Sequence, residues 1–201
     1  MKRIILSLSV ILLFSSSAFA GEDAPLSLAG IHLGDDFHKY EHLLRMEHAG
    51  AMADAVFLNE ALIRTGAIHG VRGGSVIWGN CANSGKVLRV KIKFADTSEE
   101  LFKKLLVRFE EHFGEPTRYQ GDSFRNVIAW EWEIADDDGR HVRIQLMYSV
   151  DPSVRPGVSI KMTDQTLLDL EFACYKKKYR EKYRREEKAG KIDDLDMFVP
   201  K

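Results

Sequence analysis

The chain has 201 residues, with 29 basic against 30 acidic side chains and a formal net charge of −1, a balance that argues against nucleic acid as a general partner. Hydrophobic residues make up 45% and charged residues 29%, the mixture of a globular domain and not of a disordered or membrane-embedded chain. A chain of this length buries roughly 70% of its unfolded surface and folds without staples.

Lys2 and Arg3 precede an apolar run over 4–14, and Ala18-Phe19-Ala20 forms a small-x-small cleavage site. This pattern predicts a secretory signal peptide over 1–20, because the apolar run is too short to span a membrane. No cysteine follows the expected cut, so no lipid anchor is expected there. The expected destination is the periplasm or the exterior. The two cysteines, Cys81 and Cys174, would then sit in an oxidising compartment, where a structural disulfide or two buried thiols both fit. Without a Cys-x-x-Cys the redox reading is poor, and a disulfide closing so long a loop would stabilise the fold by about 4–5 kcal/mol in the chain-entropy model.

After a polar leader over 21–27, a first helix–sheet unit is expected over 28–97. Leu28 to Gly34 read as a short strand, and Asp35 is placed to cap a helix whose apolar face carries Phe37, Tyr40, Leu43 and Leu44. Residues 55–63 and 70–81 read as extended, the second interrupted by Gly73-Gly74. Over 86–95 the chain alternates, with Leu88, Val90, Ile92 and Phe94 on one face and Arg89, Lys91 and Lys93 on the other.

A second unit is expected over 98–163. Thr97 and Glu100 suggest a capping box, Leu101, Phe102, Leu105, Leu106, Phe109 and Phe113 form one helical stripe, and Gly114 and Pro116 end it. A hairpin follows, AWEWEIADDDGRHVRIQLMY. A two-residue Asp138-Gly139 turn would set Ile134 against Arg143. A three-residue loop, Asp137-Asp138-Gly139, with Gly139 left-handed, instead sets Ile134 against Val142, Trp132 against Ile144 and Trp130 against Leu146. The other face then pairs Glu133 with Arg143 and Glu131 with Gln145. An offset of 54 residues overlays this hairpin on VIWGNCANSGKVLRVKIKF, matching Trp78 to Trp132 and Gly85 to Gly139. The expected fold is therefore α+β: an antiparallel sheet from two repeated helix–hairpin units. A long C-terminal helix over 164–190 and a tail over 191–201 complete it.

Ile31-His32-Leu33-Gly34 before the first helix, Phe113-Gly114-Glu115-Pro116 after the second, and the repeated Trp78/Gly85 and Trp132/Gly139 hairpins carry an architectural likeness. The arrangement resembles the tandem helix-plus-sheet modules of β-lactamase inhibitory protein and of small outer-membrane assembly proteins. That resemblance implies a protein-binding role through a face of the sheet, without catalysis and without a cofactor. No inhibitory contact residue carries over, and the missing lipid-anchor cysteine departs from the assembly lipoproteins.

Several local patterns invite chemistry and lose to structural readings. Glu131 and Glu133 lie on one strand face, whereas glycosidic carboxylates converge from opposite sides of a sugar; a charge ladder worth about 0.2–1 kcal/mol per pair is more economical. His38 and His42 are four apart, a metal-capable spacing, but lack the glutamate of the zinc-protease motif and point off the apolar stripe. Gly79 to Lys86 misses phosphate-loop spacing by one residue, with Val87 where a hydroxyl is needed. Asp136-Asp137-Asp138-Gly139 lacks the downstream glutamate of a calcium loop, since Gln145 stands there.

The C-terminal helix offers the richer surface. Leu168, Phe172, Tyr175, Tyr179 and Tyr183 form a stripe that turns aromatic, flanked by the basic run over 176–188, in which Lys176, Lys177 and Arg180 are candidates for partner contact. Arg89, Lys91 and Lys93 form a second basic strip on a strand. The leading expectation is an exported, non-catalytic protein-binding module (inhibitor, adaptor or assembly factor) for another envelope or secreted protein. The alternative is a binder of a small ligand or an anionic glycan or lipid surface. A hydrolase with an active site assembled from distant residues ranks third.

Overall fold

The computed structural model describes residues 24–151 and 156–180, with Lys182, Arg184 and Phe198. The expected signal peptide, Tyr183 and all of the expected tail but Phe198 lie outside the described residues. The fold is α+β. A short hairpin of β1 (Ser27–Leu28) and β2 (Ile31–His32) leads into 3-10 turns at Phe37–Leu43 and Met46–His48. An eight-stranded antiparallel sheet follows, built from β3 (Gly50–Ala51), β4 (Leu58–Leu62), β5 (Val71–Gly79), β6 (Val87–Phe94), β7 (Arg118–Tyr119), β8 (Val127–Ala135), β9 (His141–Ser149) and β10 (Gly157–Asp164). Helix α1 (Glu99–Phe113) joins β6 to β7, and α2 (Gln165–Lys178) follows β10 directly.

The strand order is palindromic, β3-β4-β5-β6 followed by β10-β9-β8-β7, with the seam where Ile92 of β6 faces Ile160 of β10. By rank in the sheet, β5–β6 corresponds to β9–β10. The 54-residue offset overlays β5–β6 on β8–β9 instead, so the two matched hairpins hold different ranks.

The β8–β9 register follows the parity of its apolar residues. Trp132 faces Ile144, Ile134 faces Val142, Trp130 faces Leu146, and on the other side Glu133 faces Arg143 and Glu131 faces Gln145. The loop closes where Asp136 N–H donates to the Arg140 carbonyl at 3.1 Å, with Gly139 at φ +78°. The alternation over β6 breaks at one point. Trp78 stands opposite Val87 but Ile77 stands opposite Arg89, so Leu88 is an extra residue in a bulge. Val87 therefore joins Val90 and Ile92 in the main core. Leu88, expected on that same face, instead packs with Leu58 and Ile77 on the far side.

One face of the sheet carries the main core. The α1 stripe lies on it, with Phe102 buried, the Phe109 and Trp132 rings 5.4 Å apart, and Trp132 Nε1 donating to the Gly114 carbonyl at 2.9 Å. At the β5 end the Phe37 ring stacks on Trp78 at 4.1 Å. The cap of α1 is Ser98, not Thr97. Asp96 accepts the Ser98 N–H at 2.8 Å and fixes an extended backbone there, so the Ser98 hydroxyl accepts from Leu101 N–H at 3.2 Å. The first helix is likewise a 3-10 segment capped by Asp36, which accepts the His38 N–H at 3.0 Å in a tight turn. Asp35, expected as its cap, is engaged elsewhere: Tyr40 Oη and Lys39 Nζ donate to it at 2.7 and 2.8 Å.

Among the described residues the opposite face is clad at one end only, by helix α2. Helix α2 starts where the Asp164 side chain accepts the Leu167 N–H at 2.8 Å, and its Leu167 and Leu168 pack on Leu58, Ile77 and Leu88. Asp164 is fully buried and takes both Arg140 Nε and a terminal guanidinium nitrogen at 2.6 Å, which ties the β8–β9 loop to the helix start.

Candidate functional site

Helix α2 splits its candidate residues between anchoring and solvent. Tyr175 is buried, with its ring 5.6 Å from Phe57, so it packs inward. Tyr179 is 41% exposed and its ring lies 5.1 Å from that of Tyr175. Lys176 extends over Phe172 at 5.3 Å, while Lys177 and Arg180 are exposed. Cys174 is bonded to Cys81, with Cα atoms 5.9 Å apart. One turn earlier the fully buried Glu171 carboxylate accepts the backbone N–H groups of Cys81, Ala82 and Asn83, the last at 2.6 Å. Gly79 lies so close that a Cβ there would stand 2.1 Å from Glu171 Oε1. The β5–β6 loop is thus fastened to α2 both by a carboxylate and by a disulfide. That bond points to an oxidising, extracytoplasmic compartment, and among the described residues no helix is long and apolar enough to cross a membrane.

Below the end clad by α2, the opposite face presents three cross-strand rows. The first runs Glu60, Ile77, Arg89, Thr163, Arg143, Glu133. The second runs Ser75, Lys91, Lys161, Gln145, Glu131, Arg118. The third runs Gly73, Lys93, Ser159, Met147, Ala129. Three of these cations, Arg89, Lys91 and Lys93, were expected from the alternation of β6. Lys161 comes beside them because β10 pairs with β6, and Arg143 follows on β9, the strand beyond, an order that the 54-residue offset did not suggest.

Lys91 and Lys161 stand directly opposite each other, an arrangement that costs stability because like charges on paired positions repel. Burial is the main cause that holds the Lys161 ammonium below its ordinary pKa, and Arg89 and Lys91 push it the same way. Burial likewise disfavours the charge of Arg89, whose Nε donates to Thr163 Oγ1 at 3.0 Å. On the acidic side the two glutamates part company. Glu133 is exposed and bridges Arg143 and Arg118 at 3.1 and 3.4 Å. Glu131, expected on the wet face, is only 4% exposed. Its Oε1 stands 3.6 Å from Arg143 Nε, and neither atom has a hydrogen-bond partner among the described residues.

The histidine pair lies away from this face. His38 Nδ1 is 2.6 Å from Asp36 Oδ1 and the ring is exposed, as is His42. Among the described residues no group of three or more His, Cys, Asp or Glu side chains is arranged to hold a metal ion. Comparison of the chain with protein-family models, with curated proteins and with solved structures gives no match.

Proposed function

We propose that the chain is an exported, non-catalytic protein-binding module, and that the cationic rows beside and below α2 dock an acidic surface of another envelope or secreted protein. The observation that carries this reading is Lys161. A half-buried ammonium set opposite Lys91 and between Arg89 and Arg143 works against folding, which is sensible where an incoming anion relieves it. The rows, two of six strands and one of five, measure about 24 Å by 14 Å from strand spacing and rise. With side chains at the margin, the face approaches the roughly 800 Å2 per partner of a standard interface. The palindromic strand order supports descent from a duplicated helix-plus-sheet unit, the seam between its halves supplying the central cations. The signal-peptide pattern and the disulfide support export to the periplasm or the exterior.

A photo-crosslinking residue placed at Met147, in the third row, tests the reading in intact cells. The expected result is one discrete protein adduct, absent when the same group replaces Val107 on the outer side of α1, which is 52% exposed. Equal adducts from both positions, or none from Met147, would contradict it.

A further inference from the structure

At one corner of the docking face lies a concave feature that the protein-binding reading does not need, although Glu60, Gly73, Ser75, Lys91 and Lys93 belong to both. Where β4, β5 and β6 meet the segment after the first 3-10 turn, an open-sided cavity of about 470 Å3 sits over Gly73 and Gly74. Among the described residues its wall carries four cations, Arg45, Arg72, Lys91 and Lys93, and one carboxylate, Glu60. Ser75 adds a hydroxyl donor, while the Thr65 hydroxyl donates to the Arg72 carbonyl at 3.4 Å. The floor is bare backbone. A Cβ on Gly74 would stand 1.9 Å from the Lys91 carbonyl oxygen, so β5 and β6 close up there only because residue 74 has no side chain. Gly73 has no heavy atom within 4 Å of its Cβ position, which leaves the space above it empty. Arg72 is held in place by donating to the Pro156 carbonyl.

We propose that this cavity binds a phosphate or sulfate monoester. Two guanidinium groups and two ammonium groups around the Ser75 hydroxyl match a tetrahedral dianion better than a single carboxylate, whose charge one arginine satisfies. The volume lies within the range of small-molecule sites and exceeds what a bare oxyanion fills, so the ester's organic part is of about sugar size. Such a group comes either from a soluble sugar ester or from a lipid or glycan headgroup, and both present the same chemistry to the cavity.

Isothermal titration at low ionic strength with glucose 6-phosphate, glucose 6-sulfate and glucose tests the proposal, beside sedimentation with vesicles of phosphatidic acid in phosphatidylcholine. The expected result is binding of the two esters and not of glucose, weakened at least tenfold in Arg45→Gln and in Lys93→Gln, each of which removes one charge from a half-buried position. Vesicle binding lost in the same two variants assigns the site to a headgroup. Binding of glucose equal to that of its esters, ester or vesicle binding that survives both substitutions, or no binding of any probe overturns it. Lys161→Met lies outside the cavity lining and leaves ester binding within about twofold, whereas it removes the protein adduct at Met147. The two readings therefore fail separately.

Discussion

Lys161 shows how far a single side chain departs from what stability alone selects. A lysine whose pKa falls on folding binds its proton less well in the native state than in the unfolded chain. The penalty is complete below the native pKa and disappears as pH rises through that value into the ordinary lysine range. Lys161→Met keeps the length of the side chain and removes the charge. It should raise the urea midpoint at pH 7, and the gain over the native protein should shrink as pH rises toward the ordinary lysine range and be gone above it, at about pH 10–11. Its neighbours on β8 divide by burial. Trp132→Ala should cost about 3–5 kcal/mol as a core truncation, whereas Glu133→Gln, exposed and bridging two arginines, should cost no more than about 1 kcal/mol. Urea melts check the order, and the reverse order would contradict the β8–β9 register. Glu131 was not separable from Glu133 in the sequence. Both sit on one face at period two, and only the packing of neighbouring strands buries the first and leaves the second wet.

At the scale of elements, α2 is defined by how it holds the β5–β6 loop. The disulfide acts mainly on the unfolded chain by closing a long loop, whereas Glu171 acts on the native state by satisfying three backbone N–H groups. Glu171→Ala should therefore cost about 3 kcal/mol or more and speed hydrogen exchange at Cys81, Ala82 and Asn83. Cys174→Ser should lower the urea midpoint while leaving exchange in that loop slow. Equal exchange in the two variants would contradict this division. The loop–helix anchor was half legible: the cysteines announced it, but a glutamate in a helix reads as solvated until its receptor loop is in place. The hairpin was legible because period-two alternation and a Gly139 loop leave one register. The Leu88 bulge was not, since an extra residue alters parity without altering composition. The caps slipped by one residue, at Asp36 and Ser98, because adjacent polar residues competed and the neighbouring hydrogen bonds decided.

The described residues centre on one eight-stranded sheet with one face under α1 and the 3-10 turns, and the other under α2 at one end. The α+β class and the helix-plus-sheet order were readable from alternating periods, since each element's apolar face declares its own geometry. The meeting of β6 with β10 was not readable, because antiparallel strands so far apart in sequence leave no local signal. That pairing is what turns the β6 strip of Arg89, Lys91 and Lys93 into a field that also includes Lys161 and Arg143. The tyrosine stripe, in contrast, was conspicuous in sequence, and it divides by burial: Tyr175 packs inward while Tyr179 stays 41% exposed. The most direct test of the acidic-partner account is the yield of the Met147 crosslink in the Lys161→Met background. The account predicts that the adduct falls at least tenfold although the protein is at least as stable as the native one. An undiminished adduct would contradict it.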